Sequence, residues 1–84
     1  YTTDSHSSFE LGDDEMSARV AEAIRADSAT TGYAGQIAIE VANGVVTLRG
    51  EVDDLEDSDN LLAVAGYIEG VVEVVDKLRV RSMG

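Results

Sequence analysis

The sequence predicts a small α+β domain with the element order αββαβ, and three observations carry that prediction. Two runs of alternating hydrophobicity meet at Asn43-Gly44. Two stretches of helical periodicity flank this pair, one from Asp13 to Asp27 and one from about Asp53 or Asp54 to Ile68. A third alternating run follows, from Val72 to Arg81.

The first helix opens on Asp13, Asp14 and Glu15, where free N–H groups and the helix dipole favour anions. Met16, Val20, Ala23 and Ile24 fall at i, i+4, i+7 and i+8 and form one apolar stripe. Glu15 with Arg19, and Glu22 with Arg25, have helical pairing distances away from that stripe. They read as a solvated face. The loop from Ser28 to Gly35 then leads into the hairpin.

In the hairpin, Ile37, Ile39 and Val41 alternate with Gln36, Ala38 and Glu40. Beyond the turn, Val46, Leu48, Gly50 and Val52 alternate with Thr47, Arg49 and Glu51. Period-2 alternation buries one face and leaves the other to water. Asn-Gly tolerates positive φ at both central positions of a type I′ turn. The second helix starts as a capping box would, with Asp53 followed by Glu56, and Asp54, Asp57 and Asp59 add charge to its first turns. Leu61, Leu62, Ala65 and Ile68 form its stripe. Gly66 is unfavourable inside a helix and suggests close contact with the sheet, whereas Gly70 suits the positive φ that ends a helix. In strand 3, Val72, Val74, Leu78 and Val80 share one parity, interrupted by Asp76, and Val75, Lys77, Arg79 and Arg81 share the other.

The 84 residues suit one domain with a thin core. Residues 1–12 are polar and aperiodic and read as a tail or linker, 13–81 as the folded domain, and 82–84 as a stub. The chain begins at Tyr1 without Met, as expected of a processed or excised piece. No apolar run approaches the ~20 residues of a membrane span, and no signal-peptide pattern is visible. With no Cys, disulfides and thiolate zinc sites are excluded, and no cofactor is expected. The only His, His6, lies in the tail, so the usual nucleophile–base pairs are missing. Carboxylates are plentiful, but acid–base work needs one of them in a water-poor pocket, for which so thin a domain has little room. The chain is not expected to be an enzyme.

Two motif-like stretches give way on inspection. Gly32-Tyr33-Ala34-Gly35 matches a Gly-x-x-Gly nucleic-acid clamp, but it lacks a cation and leads into a strand. No nucleic-acid partner is expected. The run Asp53-Asp-Leu-Glu-Asp-Ser-Asp-Asn60 suggests a calcium loop. Such a loop needs oxygen ligands at alternating positions and Gly at the sixth. From Asp57 these fall on Leu61 and Leu62, and from Asp53 the third position is Leu55. Helix-start electrostatics accounts for the run.

The formal charge is −11, from 6 basic and 17 acidic residues. A chain this acidic is repelled by phosphodiester and anionic-lipid surfaces unless its cations are gathered. Scarce Lys beside excess acid also fits adaptation to a salt-rich cytoplasm. Arg49, Lys77, Arg79 and Arg81 all occupy positions of outward parity. If strand 3 pairs parallel to strand 2, as a strand–helix–strand crossover favours, they cluster on the open face of a mixed sheet. The plainest outcome is that Arg49 and Arg79 pair across strands with Glu40, Glu51 or Glu73. The alternative is self-association into rings or filaments, with this face meeting the acidic helices of another copy. Val45 and Val75 would add apolar area to it. The tail could add a strand to a sheet edge through Phe9 and Leu11.

Two patterns coincide: Val41-x-Asn-Gly-x-Val-x-Leu-x-Gly-x-Val52 and, one helix later, Gly70-Val-x-x-Val-x-Asp-x-Leu-x-Val80. Together they resemble a BON domain, over roughly Met16 to Val80. Asp76 stands where many members have Asn. The resemblance implies two helices on one face of a three-stranded mixed sheet, with no catalytic residues. It implies a binding module of bacterial osmotic-stress and cell-envelope proteins, located in the envelope or periplasm and acting on phospholipid or a membrane surface. Some members instead bind potassium in the cytoplasm, and others sit beside pore or secretin-like domains as one part of a larger protein. In some members the lipid role attaches to helix 2 and its neighbouring loop, where this chain has Asp54, Glu56, Asp57 and Asp59.

Overall fold

A computed structural model describes residues 12–81. Phe9 and Leu11, with the rest of the expected tail up to residue 11 and the stub 82–84, lie outside the described residues. Helix α1 spans Asp13–Ala26, strand β1 Ala38–Ala42, strand β2 Val45–Val52, helix α2 Leu55–Gly66 and strand β3 Glu73–Val80, with a short 3₁₀ turn at Thr31–Tyr33. The αββαβ order is as expected.

Asn43 (φ 53°) and Gly44 (φ 82°) both have positive φ, as a type I′ turn requires. The turn sets β1 antiparallel to β2, with Val41 opposite Val46 and Ile39 opposite Leu48. The Gly44 carbonyl accepts the Val72 N–H at 2.8 Å, which ties the hairpin tip to the loop before β3. A Cβ on Gly44 would lie 2.9 Å from Val72 Cγ2, so this contact needs glycine twice over. Because α2 carries the chain back along the sheet, β3 enters parallel to β2. The strand order is β1-β2-β3, with Val46 beside Val74 and Val52 beside Val80.

Both helices cover one face of this sheet. Met16, Val20 and Ile24 of α1, and Leu61 and Ala65 of α2, close over Val46, Leu48 and Val52, with Ile37 at one side. The central strand supplies the best-buried side chains because it alone has a strand on either side. At the end of α1, the buried Thr30 hydroxyl donates to the Ile24 carbonyl at 2.7 Å, satisfying an acceptor the helix leaves open.

Four expectations about α2 and its end are corrected. Its cap is Asp54, whose carboxylate accepts the Asp57 N–H at 3.0 Å, and not Asp53 working with Glu56. Gly66 ends the helix without a close approach to the sheet: a Cβ there would meet only Val74 Cγ2, at 3.9 Å. Ile68 packs on the core from beyond the helix. Gly70 does have positive φ (99°), but it lies in the later turn, where a Cβ would be 3.1 Å from Met16 Cε.

Candidate functional site

Among the described residues no helix covers the second face of the sheet, which is made of the alternate residues of the same strands. Strand register puts Ala38, Arg49 and Lys77 in one row and Glu40, Thr47 and Val75 in the next. Ala42, Val45 and Glu73 form a row on one side of these, and Glu51 and Arg79 pair on the other. All four expected cations are exposed, and Val75 is half-buried beside them.

The charges on this face are unevenly matched. Arg49 Nη2 lies 3.5 Å from Glu40 Oε1. Arg81 reaches Glu51 Oε1 at 3.5 Å and Asp53 Oδ1 at 3.4 Å. Arg79, expected to pair with Glu51 or Glu73, has no acidic partner within ion-pair distance among the described residues, and neither does Lys77. The Glu51 carboxylate is claimed by Arg81, a pairing that parity alone does not reveal. These exposed pairs are each worth about 0.2–1 kcal/mol. More telling is the register of Arg49 beside Lys77, because like charges directly opposite destabilise a sheet. A shallow open hollow lies there, lined by Arg49, Gly50, Glu51, Lys77, Leu78 and Arg79. Its charge suits an anionic group lying flat on the sheet.

Gly50 serves the other side of the same strand. Its φ is +150°, and a Cβ would stand 2.9 Å from Ile37 Cδ1. Glycine here lets Ile37 close the edge of the core, while Arg49 and Glu51 on either side turn to water.

A second hollow of about 140 Å³ lies between α1 and β1, lined by Ala21, Ile24, Arg25, Tyr33, Ile37 and Ile39 among others. It is small against the ~300–1,000 Å³ of ligand pockets. Tyr33 at its rim is structural. Its hydroxyl donates to Asp57 Oδ2 at 2.6 Å and accepts the Asp53 N–H at 3.0 Å, which fastens the loop after α1 to the start of α2. Donation to the carboxylate raises the phenol above its usual pKa of 10.0, against a smaller opposing pull from the Asp53 N–H. Among the described residues, no group of three or more His, Cys, Asp or Glu is arranged to hold a metal ion. Among the same residues, no helix is long and apolar enough to cross a membrane.

Among the described residues the molecule is a one-layer sheet with two helices on one face and a charged, uncovered face on the other. Comparison with protein families adds the family. The BON domain model matches residues 12–82, and the chain belongs to the BON domain family. Domains of this family are generally non-catalytic binding domains. Among curated proteins, none matches the chain in sequence.

Proposed function

We propose that this BON domain is a non-enzymatic docking module that acts at a membrane or cell-envelope surface, meeting phospholipid headgroups with the uncovered face of its sheet. The observation that carries this reading is the row of Arg49 and Lys77, with Arg79 adjacent, on the face the helices leave open. Lys77 and Arg79 have no acidic partner among the described residues. Their charge is therefore available to headgroup phosphates. Half-buried Val75, between Glu73 and Lys77 on β3, adds apolar contact, and half-buried Val45 lies two rows away from Arg49 on the same face.

The acidic start of α2 is disfavoured for this role. Asp53, Asp54, Glu56 and Asp59 are exposed there and would repel anionic lipid. At physiological ionic strength charges are screened over about 8 Å, so the sheet face can act locally despite the net charge. Near an anionic membrane each Lys or Arg contributes about 1 kcal/mol. Three such residues give a weak, salt-sensitive attachment, suited to a module that works alongside a second contact.

Vesicle co-sedimentation tests this reading. At physiological ionic strength the protein is expected to pellet with phosphatidylglycerol-containing vesicles and not with pure phosphatidylcholine, and to release as salt is raised further. Combined Arg49→Glu and Lys77→Glu should abolish pelleting. Equal binding to both vesicle types, or binding that survives the charge reversal, would overturn it.

A further inference from the structure

Among the described residues, strand β3 is an edge of the sheet and, at eight residues, the longer of the two edges, β1 having five. A free edge presents unpaired N–H and C=O groups to any other strand. One of these groups is already occupied. The Leu78 N–H donates to the carboxylate of Asp76, two residues back, at 2.9 Å. A strand N–H bonded to its own side chain does not also serve the neighbouring strand. Leu78, and by the period of two Val74, Asp76 and Val80, thus turn their backbone groups to the free edge.

We propose that the outer edge of β3 is a self-complementary pairing surface whose occupant is the same edge of a second copy, and that Asp76 holds it closed. Across a two-fold axis, two β3 strands meet antiparallel, and residues directly opposite must share a face of the joined sheet. Centring the axis on Asp76 sets Glu73 opposite Arg79 of the second copy, Val74 opposite Leu78, and Val75 opposite Lys77. In that register an acid meets a base, two apolar residues meet, and no cations oppose. Shifting the axis to Lys77 sets Lys77 against itself. Shifting it to Leu78 sets Lys77 against Arg79, and shifting it to Val75, which sets Glu73 opposite Lys77, sets the Asp76 carboxylate against Val74 and gives up the apolar Val74–Leu78 pair. The favourable register has one fault, which is that Asp76 opposes Asp76. The same carboxylate also occupies the Leu78 N–H that would bond to Val74 across the axis.

The flank of α2 beside this edge supports the same reading. Gly66 lies 3.9 Å from Val74 Cγ2, measured from an ideal Cβ, so its side of the helix faces β3. Leu55, Leu62 and Gly66 are spaced i, i+7 and i+11 and share that side. Leu55, the first residue of α2, is 56 % exposed. Four helical residues rise ~6 Å and two strand residues ~6.6 Å, so Leu62 stands level with Asp76 if Gly66 is level with Val74. The two helices would then cross near Leu62, with Gly66 permitting close approach. Joined in this way, two copies would present one continuous uncovered face.

The test is the oligomeric state of the whole chain by sedimentation velocity over a wide concentration range. The unmodified protein should be a monomer. Asp76→Ala should become a concentration-dependent dimer, and Asp76→Asn, which keeps an oxygen for the Leu78 N–H, should do so more weakly. Circular dichroism confirms that each variant is folded. Adding Arg79→Glu to Asp76→Ala should return a monomer, and adding Glu73→Arg as well should restore the dimer. A folded Asp76→Ala that remains monomeric at every concentration would overturn the proposal. So would a dimer indifferent to the Arg79→Glu change, or association that grows beyond two copies.

Discussion

Val46, Leu48 and Val52 are fully buried beneath the two helices, while Thr47, Arg49 and Glu51, interleaved with them in the same strand, lie on the face that meets solvent. The two faces differ because alternate side chains of a strand point in opposite directions, and only one of those directions has a helix to pack against. What holds the molecule together and what is available for recognition are thus carried by adjacent residues. A single strand can be changed for one purpose with little effect on the other. The exception is Gly50, whose lack of a side chain serves the covered face while its backbone floors the hollow on the open one.

The largest expected effect is on the covered face. Leu48→Ala should cost about 2–5 kcal/mol, read by denaturant or thermal unfolding. Its neighbour Thr47→Ala should stay within about 0.5 kcal/mol. Comparable losses at both positions would break the division between the faces.

Gly50→Ala comes next. The added methyl meets Ile37 Cδ1 at 2.9 Å on a backbone with φ of +150°, so a destabilisation of about 1–3 kcal/mol is expected from overpacking alone. Pairing the change with Ile37→Val should recover part of it, since the clash is with the far end of the isoleucine.

Tyr33→Phe is smaller and has a pH signature. The folded-state phenol is raised above 10.0 because it donates to Asp57. Its contribution is therefore fully present below the unfolded value and is lost as pH rises through the higher folded value. The unmodified protein should lose thermal stability more steeply above pH 10 than Tyr33→Phe does, and the two melting curves should converge. Parallel curves would remove the hydroxyl from the account.

The smallest stability effect belongs to the open face. Lys77→Gln should change unfolding by less than about 0.5 kcal/mol, or stabilise slightly by relieving Arg49, while weakening attachment to anionic vesicles. A marked loss of stability would mean that this cation belongs to the fold.

Much of this was legible in the chain because it is local. Asn43-Gly44 specifies its own turn, and that turn sets the register of β1 on β2. The outward parity of Arg49, Lys77 and Arg79 follows from the same alternation. Contacts between distant parts were not legible. Tyr33 joins Asp53 and Asp57 across the molecule, and nothing in the loop around it announces a hydrogen-bonding role. Arg81, not Arg79, takes Glu51, because the reach of a long side chain depends on where the strand ends. Gly66 drew attention as a helix breaker, yet it touches the sheet only loosely.

The sequence by itself determined the elements, their order, the hairpin register and most of the residues that face outward, since these depend on turn chemistry and on side-chain periods of two and 3.6. Val72, read with the inward parity of strand 3, instead lies before β3 and is 78 % exposed. Only the tertiary structure decided that Lys77 stands beside Arg49, that Asp76 occupies the Leu78 N–H at a free edge, and that Tyr33 fastens the first loop to α2. Each of these depends on distances between side chains remote in sequence or on which strand edge is left uncovered. Such distances exist only once the chain has packed.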